Sequence, residues 1–287
     1  MRSGWRPPRN SPAMTADAAR RGTRFGIIGF GRIGRRIAER LAGTQDAPEL
    51  AGVLVSAERQ QAVAGIVGEE RVFTDPAVFL GLGLDVVVEC ASAAALAALG
   101  PAVLASGADL MPLSLAAFAD HVVEQRLRTA AATGPGRLEI PAGAMGSIEF
   151  LAAAREDVLS AVTFRAAYPV ERWRGSAAEA MTDLAGVTAP TTFLRTSVRE
   201  AVRQFPRHIN VAVGVALAGL GLDETTAELT ADPAITQARF EVEAIAGPGP
   251  VYLRVDGRDA PLGSDPIDYT TFSLIRLLRR RQARIMI

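Results

Sequence analysis

The feature that most constrains this chain is a short apolar run, Phe25-Gly26-Ile27-Ile28, that passes directly into Gly29-Phe30-Gly31-Arg32-Ile33-Gly34. The run reads as a buried strand. The residues after it set Ile33, Ile37 and Leu41 on one face of a helix. A glycine-rich turn between a buried strand and such a helix has a defined use. Gly29 permits a tight turn, Gly31 lets the main chain approach a pyrophosphate, and Gly34 lets the helix lie against the strand. The N–H groups that open the helix, those of Arg32 and Ile33 included, then face an anion. The spacing predicts a dinucleotide-binding turn, with a plain strand–turn–helix as the bland alternative.

The alternation then repeats. Further strands are expected over 50–55, 71–73, 85–89, 109–112 and 138–140, with helices over 57–66, 93–105 and 116–133. Strand–helix alternation of this kind signals a doubly wound parallel sheet, the Rossmann architecture. The second half changes character. Strands are expected over 158–167, 228–231, 238–246 and 251–255, in a mixed or antiparallel sheet. Helices are expected over 197–205, 209–220 and 270–281, and a loop-rich stretch with a short helix over 170–190. The reading is an α/β chain: an extension over 1–22, expected to be disordered, or an upstream start misassigned before Met14, with an Arg-rich transit peptide as the minority reading. A Rossmann domain over 23–142 comes next, completed by 269–287, with an α+β substrate and dimerisation domain over 143–268.

Composition removes several classes. Among 287 residues, 31 basic side chains balance 31 acidic ones, which argues against nucleic acid as the main partner. Every basic residue is arginine, so lysine Schiff-base or lysine general-base chemistry is excluded. One cysteine, Cys90, excludes an internal disulfide framework, and with two histidines it leaves little for a metal site. No metal is expected. The longest uncharged stretch, 90–108, is broken by Ser92, Gly100, Pro101 and Gly107 and fits an α/β core better than a membrane span. Residues 1–22 lack the apolar core of a secretory signal. A cytoplasmic protein without membrane contact is expected. The basic tail 279–284 reads as a solvated helix end.

An acidic residue about 20 positions past the glycine turn binds the ribose 2′-hydroxyl when the cofactor is NAD. Here the second strand ends in Ser56-Ala57-Glu58-Arg59. Ser56 holds the expected acidic position and Arg59 offers a partner for a 2′-phosphate, so the cofactor is NADP or NAD with NADP favoured; Glu58 is the alternative ribose ligand. The segment Glu89-Cys90-Ala91-Ser92 ends the next central strand, placing Ala91 and Ser92 near the nicotinamide ribose. Cys90 reads as a small buried residue rather than a nucleophile.

Several segments further on resemble one family. Ile140-Pro141-Ala142-Gly143-Ala144-Met145-Gly146 is similar to its Ile-Pro-Ser-Gly-Ala-Ile-Gly, and Phe205-Pro206-Arg207-His208-Ile209-Asn210-Val211-Ala212 to its Phe-Pro-x-Asn-x-Asn-Val-Ala. Residues 217–223 and 231–233 extend the match, and the resemblance is to L-aspartate dehydrogenases. It implies a homodimer and reversible NAD(P)-linked oxidation of aspartate to iminosuccinate, which hydrolyses to oxaloacetate and ammonia. It implies that Ala144 and Asn210 contact the cofactor. The family's catalytic histidine falls on Phe240, and a phenyl ring transfers no proton. Two cationic stretches of the family become Ala167-Tyr168-Pro169 and Asp265-Pro266-Ile267-Asp268-Tyr269. His208, two residues before Asn210, is a candidate replacement base or else a structural histidine; Tyr168 is a second candidate proton donor, and His121 reads as structural. Arg165, Arg172, Arg174 and Arg207 are candidates for a substrate carboxylate. The function expected is hydride transfer between nicotinamide and aspartate or a related amino acid. An imine reductase or dehydrogenase on another substrate, or a catalytically impaired nucleotide-binding paralogue, stands as the alternative.

Overall fold

A computed structural model of the chain describes residues 22–44, 47–206, 208–257 and 269–285. The extension 1–21, Arg207 and the segment 258–268, with the departures at 265–268, lie outside the described residues. The first half runs β1 (Arg24–Ile28), α1 (Arg32–Leu41), β2 (Glu49–Leu54), α2 (Gln60–Val67), β3 (Val72–Phe73), α3 (Pro76–Leu80), β4 (Val86–Glu89), α4 (Ala93–Ser106), β5 (Asp109–Pro112) and α5 (His121–Thr133). Its strands form a parallel sheet in the order β3-β2-β1-β4-β5. The chain winds outward in both directions from β1, so the crevice opens where β1 lies between β2 and β4. Ile28 is level with Leu54 on one side and with Glu89 on the other.

Apolar runs explain why this sheet is central. Val86, Val87 and Val88 are all fully buried, as a strand covered on both faces must be. Phe25, Ile27 and Val53 pack with Ile37 and Leu41 of α1 and with Leu274, Ile275 and Leu278 of the last helix, α9 (Tyr269–Arg280). Ile28, Leu54 and Val87 face Phe79, Leu96 and Leu104 on the other side.

The second half contains α6 (Ile148–Ala154), β6 (Leu159–Tyr168), β7 (Thr191–Ser197), α7 (Val198–Gln204), α8 (Asn210–Ala218), β8 (Thr226–Ala231), β9 (Arg239–Ala246) and β10 (Gly249–Asp256). Its sheet is mixed, in the order β10-β9-β6-β8-β7, with β6 and β8 parallel and the other pairs antiparallel. One face carries Val162, Phe164, Ala166, Leu229 and Val242 into a core shared with Ala212, Val213 and Val215 of α8. That core continues through Leu115 and Phe118 into the first half.

Several elements differ from expectation. The helix expected over 116–133 is two pieces, a 3-10 turn at Leu115–Ala119 and then α5. Asp120 separates them, because its carboxylate accepts from the N–H groups of Val122 and Val123 and caps a new helix. The strand expected over 138–140 reduces to one parallel bridge, Leu138 to Leu110. The stretch 170–190 holds three 3-10 turns instead of one helix. Helix α6 and edge strand β7 went unforeseen. The basic helix end is not merely solvated: Arg281 donates to Asp109 and to Glu139, both at 2.7 Å.

Candidate functional site

The glycine turn shows three different local demands. Gly29 has φ +87°, and a Cβ there would meet the main chain and Cβ of Ala91 at 2.6–2.9 Å. A Cβ on Gly34 would sit 2.7 Å from the carbonyl oxygen of Gly29 and 3.1 Å from Cys90 Sγ, so α1 rests directly on the β1 exit. A Cβ on Gly31 would meet nothing within 4 Å. That open space beside bare main chain at a helix start fits the diphosphate of a dinucleotide.

The space belongs to a cavity of about 430 Å³ lined by Gly29, Gly31, Ser56, Arg59, Thr74 and Ala91, among others. Gly29, Gly31, Ser56, Arg59 and Ala91 are thus brought together as their spacing in the sequence suggests. Arg59 donates from Nη2 to the carbonyl of Phe30 at 2.8 Å, which pins its guanidinium over the glycine turn. Ser56 donates its hydroxyl to Glu58 at 2.9 Å. Ile33 packs a partly buried side chain against the core, and its main chain opens the helix beside Gly31. Ser92 caps α4 by accepting from Ala95 N–H at 3.1 Å.

Glu89, which reads in the sequence only as the last residue of a strand, organises the crevice floor. Its carboxylate is fully buried and accepts from Ala91 N–H, Ser92 N–H, Ser114 N–H and Ser114 Oγ at 2.8–3.1 Å. Burial outweighs these donors and holds its carboxyl above the ordinary carboxylate value. An acid closing a valine run was the available signal. Cys90 next to it donates to the Gly29 carbonyl, and burial, with the neighbouring Glu89 charge, pushes its thiol up to about 12. It is a packed thiol and not a thiolate.

On the other side of the crevice, Asn210 spends both ends of its carboxamide on main chain: Nδ2 donates to Leu113 O at 2.6 Å and Oδ1 accepts from Ala116 N–H at 2.8 Å. Asn210 therefore ties α8 to the segment leaving β5. Ala144 lies in the turn closed by Met145 N–H to Ala142 O. Neither residue lines the 430 Å³ cavity.

His208, Tyr168 and Phe240 do converge. The Phe240 ring stacks 5.9 Å from Phe164 and meets Tyr168 edge-on at 5.8 Å; Tyr168 in turn meets the His208 ring edge-on at 5.6 Å. His208 also stacks on Trp173 at 4.8 Å, and its Nε2 donates to the Arg172 carbonyl at 3.0 Å. A carbonyl only accepts, so Nε2 carries the proton and a neutral ring presents the Nδ1 lone pair. The Tyr168 hydroxyl donates to the His208 carbonyl, and burial raises its pKa to about 12 despite the nearby Arg172 charge. Tyr168 thus holds the His208 main chain with the proton it was expected to give away. Arg165 is committed to Glu228 and Glu243, and Arg174 to Glu171. His121 opens α5, away from this cluster.

Comparison with known proteins respects this division. Residues 29–141 match the model for the homoserine dehydrogenase NAD-binding domain, and 149–281 the model for the aspartate dehydrogenase C-terminal region. An L-aspartate dehydrogenase from Brucella anthropi is 34% identical over 266 residues, covering 91% of this chain and 97% of its own. The chain belongs to the L-aspartate dehydrogenase family. It is an oxidoreductase of that type. A relative of the same name from Ruegeria pomeroyi is 35% identical over 91% of this chain and 94% of its own length. The crystal structure of an aspartate dehydrogenase from Thermotoga maritima shares the fold, with a TM-score of 0.73 at 24% identity over 92% of this chain and 99% of that one.

Proposed function

We propose that this family member is an NADP(H)-preferring amino-acid dehydrogenase whose substrate is less acidic than aspartate. The observation that carries the reading is the Phe164–Phe240–Tyr168 aromatic wall, which stands where the family resemblance expects a histidine and a cationic stretch. An apolar wall disfavours a second carboxylate, because a buried charge needs a partner. Among the described residues no carboxylate pairs with Arg172, which lies near Tyr168 and is assigned the substrate's α-carboxylate.

In the oxidative direction the Cα–H bond breaks with its electron pair and leaves as hydride, for which the nicotinamide is the acceptor. The amine gives up a proton, and the resulting imine takes up water to release ammonia and an oxo acid. His208 is assigned the proton through Nδ1, with Tyr168 and the Arg172 carbonyl positioning its ring. Gly29, Gly31 and the Arg32 and Ile33 main chain are assigned the diphosphate, with Gly34 packing behind them. Ser56 and Arg59 take the adenosine ribose, and the Ala91–Ser92 turn lies toward the nicotinamide half. Asn210 is assigned an indirect part, fixing the segment that leaves β5 through Leu113 and Ala116, and Ala144 the second half's side of the cofactor site.

The assignment includes a Rossmann domain over 23–142 completed by 269–287, a substrate domain over 143–268, a cytoplasmic location and a homodimer. Support for the dimer is the second face of the mixed sheet. There Arg165 bridges Glu228 and Glu243, Arg195 joins Glu228, and Tyr252 and Ile245 are exposed. An amino-acid panel with NADP⁺ tests the function, read as NADPH absorbance. At least one amino acid with a neutral side chain is expected to exceed aspartate about tenfold in kcat/KM. Efficient aspartate oxidation with no better substrate overturns the substrate reading, and no turnover on any amine overturns the enzyme reading in favour of a nucleotide-binding paralogue.

A further inference from the structure

Glu89 is a fully buried acid that the hydride and proton steps leave unused. It closes β4 level with Ile28 of β1 on one side and Pro112 of β5 on the other, at the ligand edge of the sheet. A carboxylate is costly to bury there, and none of its four donors is a cation. The division of those donors is informative. Oε1 accepts from the Ala91 and Ser92 N–H groups at 2.8 and 3.0 Å and from Ser114 Oγ at 2.9 Å. Oε2 accepts from the Ser114 N–H at 3.1 Å. The Glu89 main-chain carbonyl adds the Leu113 N–H at 2.8 Å. One residue therefore grips two segments, the turn after β4 and the segment leaving β5. The second segment is gripped again from the other half, because Leu113 O and Ala116 N–H are the two partners of the Asn210 carboxamide. Asn210 follows His208 by two residues. A continuous path thus runs from Ala91 and Ser92 through Glu89, Leu113 and Ser114 to Asn210 and on to His208. Tyr168 and the Arg172 carbonyl orient the His208 ring; this path sets where that ring stands above the crevice floor.

We infer that Glu89 is a positioning residue for the reaction. It holds the Ala91–Ser92 turn and the segment bonded to Asn210 in one register, and so fixes His208 against the dinucleotide crevice. The inference rests on the roles proposed above for the crevice and for His208, and adds the residue that keeps the two aligned. A carboxylate suits the task because it takes four donors and brings no hydrogen of its own. A carboxamide would aim its NH2 at one of them, and three of the four are main-chain N–H groups that only donate. Misplacing a reacting group by about 1 Å costs on the order of 10²-fold in rate, so a rigid tie between the halves has a catalytic use.

Glu89→Gln separates the two grips. Its Oε1 keeps the Ala91 and Ser92 N–H groups, while the amide nitrogen replaces Oε2 and faces the Ser114 N–H, donor against donor. Three measurements on the intact protein read the result: amide hydrogen exchange without ligand, NADPH and NADH affinity by fluorescence, and turnover of L-aspartate with NADP⁺. Exchange is expected to quicken at least about tenfold at Ser114, at Ala116 and at Ala212 in the first turn of α8, while Ala91 and Ser92 stay protected. Both dinucleotide affinities should change less than about twofold, and kcat should fall about 10–100-fold. Asn210→Ala cuts the path at its far end and leaves the buried acid intact. It is expected to give the same kcat loss at unchanged affinity, and decides the matter if Glu89→Gln does not fold. Full kcat in a folded Glu89→Gln overturns the inference, as does faster exchange confined to Ser114. A loss of dinucleotide affinity as large as the loss of kcat also overturns it, because Glu89 would then only prop the cofactor turn. A wild type that turns over no amine overturns the proposed function instead, and the exchange pattern alone then decides whether Glu89 ties the turn to α8.

Discussion

Gly31 and Gly34 are three residues apart and read alike in the motif, yet they face opposite constraints. Gly34 has a carbonyl oxygen 2.7 Å from where a methyl would go; Gly31 has nothing within 4 Å. Gly34→Ala is expected to destabilise the protein by about 1–3 kcal/mol, the scale of overpacking against immobile main chain. Gly31→Ala is expected to cost under about 1 kcal/mol, since glycine is only a modest helix cap, while weakening both NADPH and NADH. Thermal melts and dinucleotide titration of both variants check this, and a Gly31→Ala variant with normal affinity for both cofactors contradicts the diphosphate assignment. The motif was legible because each glycine does one geometric task. The role of the histidine was not, because spacing could not show that Nε2 is held by Arg172 and the ring by Trp173. With Nδ1 as the working nitrogen, His208→Asn should lower kcat by about 10²–10⁴-fold. NADPH affinity should not move. Full retention of kcat makes His208 a structural residue.

At the scale of elements, the long strands and helices of the first half were readable because their apolar runs and helical faces are continuous. Helix α6 and strand β7 carry weaker signals: the first is only seven residues, and the second reads Thr-Thr-Phe-Leu-Arg-Thr-Ser, with no clean alternation because a register shift falls between Thr192 and Leu194. Helix α9 was foreseen, but its anchor was not. Asp109 at the start of β5 is buried and takes Arg281 at 2.7 Å and Arg137 at 2.9 Å. Burial pulls its carboxyl up, but the Arg137 and Arg281 hydrogen bonds win and hold it below the ordinary value. A carboxylate with a depressed folded pKa stabilises fully above its unfolded value, about 3.9, and loses that contribution as pH falls through the folded one. Asp109→Asn should therefore cost roughly 2 kcal/mol at pH 7. The gap to wild type should be constant from pH 7 to 5 and close below about pH 4. Denaturant unfolding across that range checks it, and a gap that persists at low pH refutes the ionic origin.

The two halves meet through a buried cation as well as through apolar contacts. Arg199 on α7 is almost wholly buried, and it donates to Asp223 at 2.6 and 2.8 Å, to Glu124 of α5 at 2.8 Å and to the Phe118 carbonyl at 2.8 Å. Asn210 makes the parallel tie from α8 to Leu113 and Ala116. Both act on the segment between β5 and α5, which Glu89 holds from below through Ser114. The position of His208 relative to the glycine turn thus depends on one short segment gripped from three sides. Sequence periodicity reports which face of an element is apolar; it does not report which arginine of 31 will be buried between halves. Arg199→Met keeps the length and apolar stem of the side chain but removes the donor to the Phe118 carbonyl and one of the two arginines on Glu124, which keeps Arg128. The loss should be about 3 kcal/mol, at the lower end for breaking a buried ion pair, because Asp223 is half-exposed and can turn to water. Unfolding should also become less cooperative, with the near-UV signal of Trp173 in the second half separating from loss of NADPH protection in the first. A single transition shifted by less than about 1 kcal/mol would mean that the shared Leu115–Phe118 core alone couples the halves.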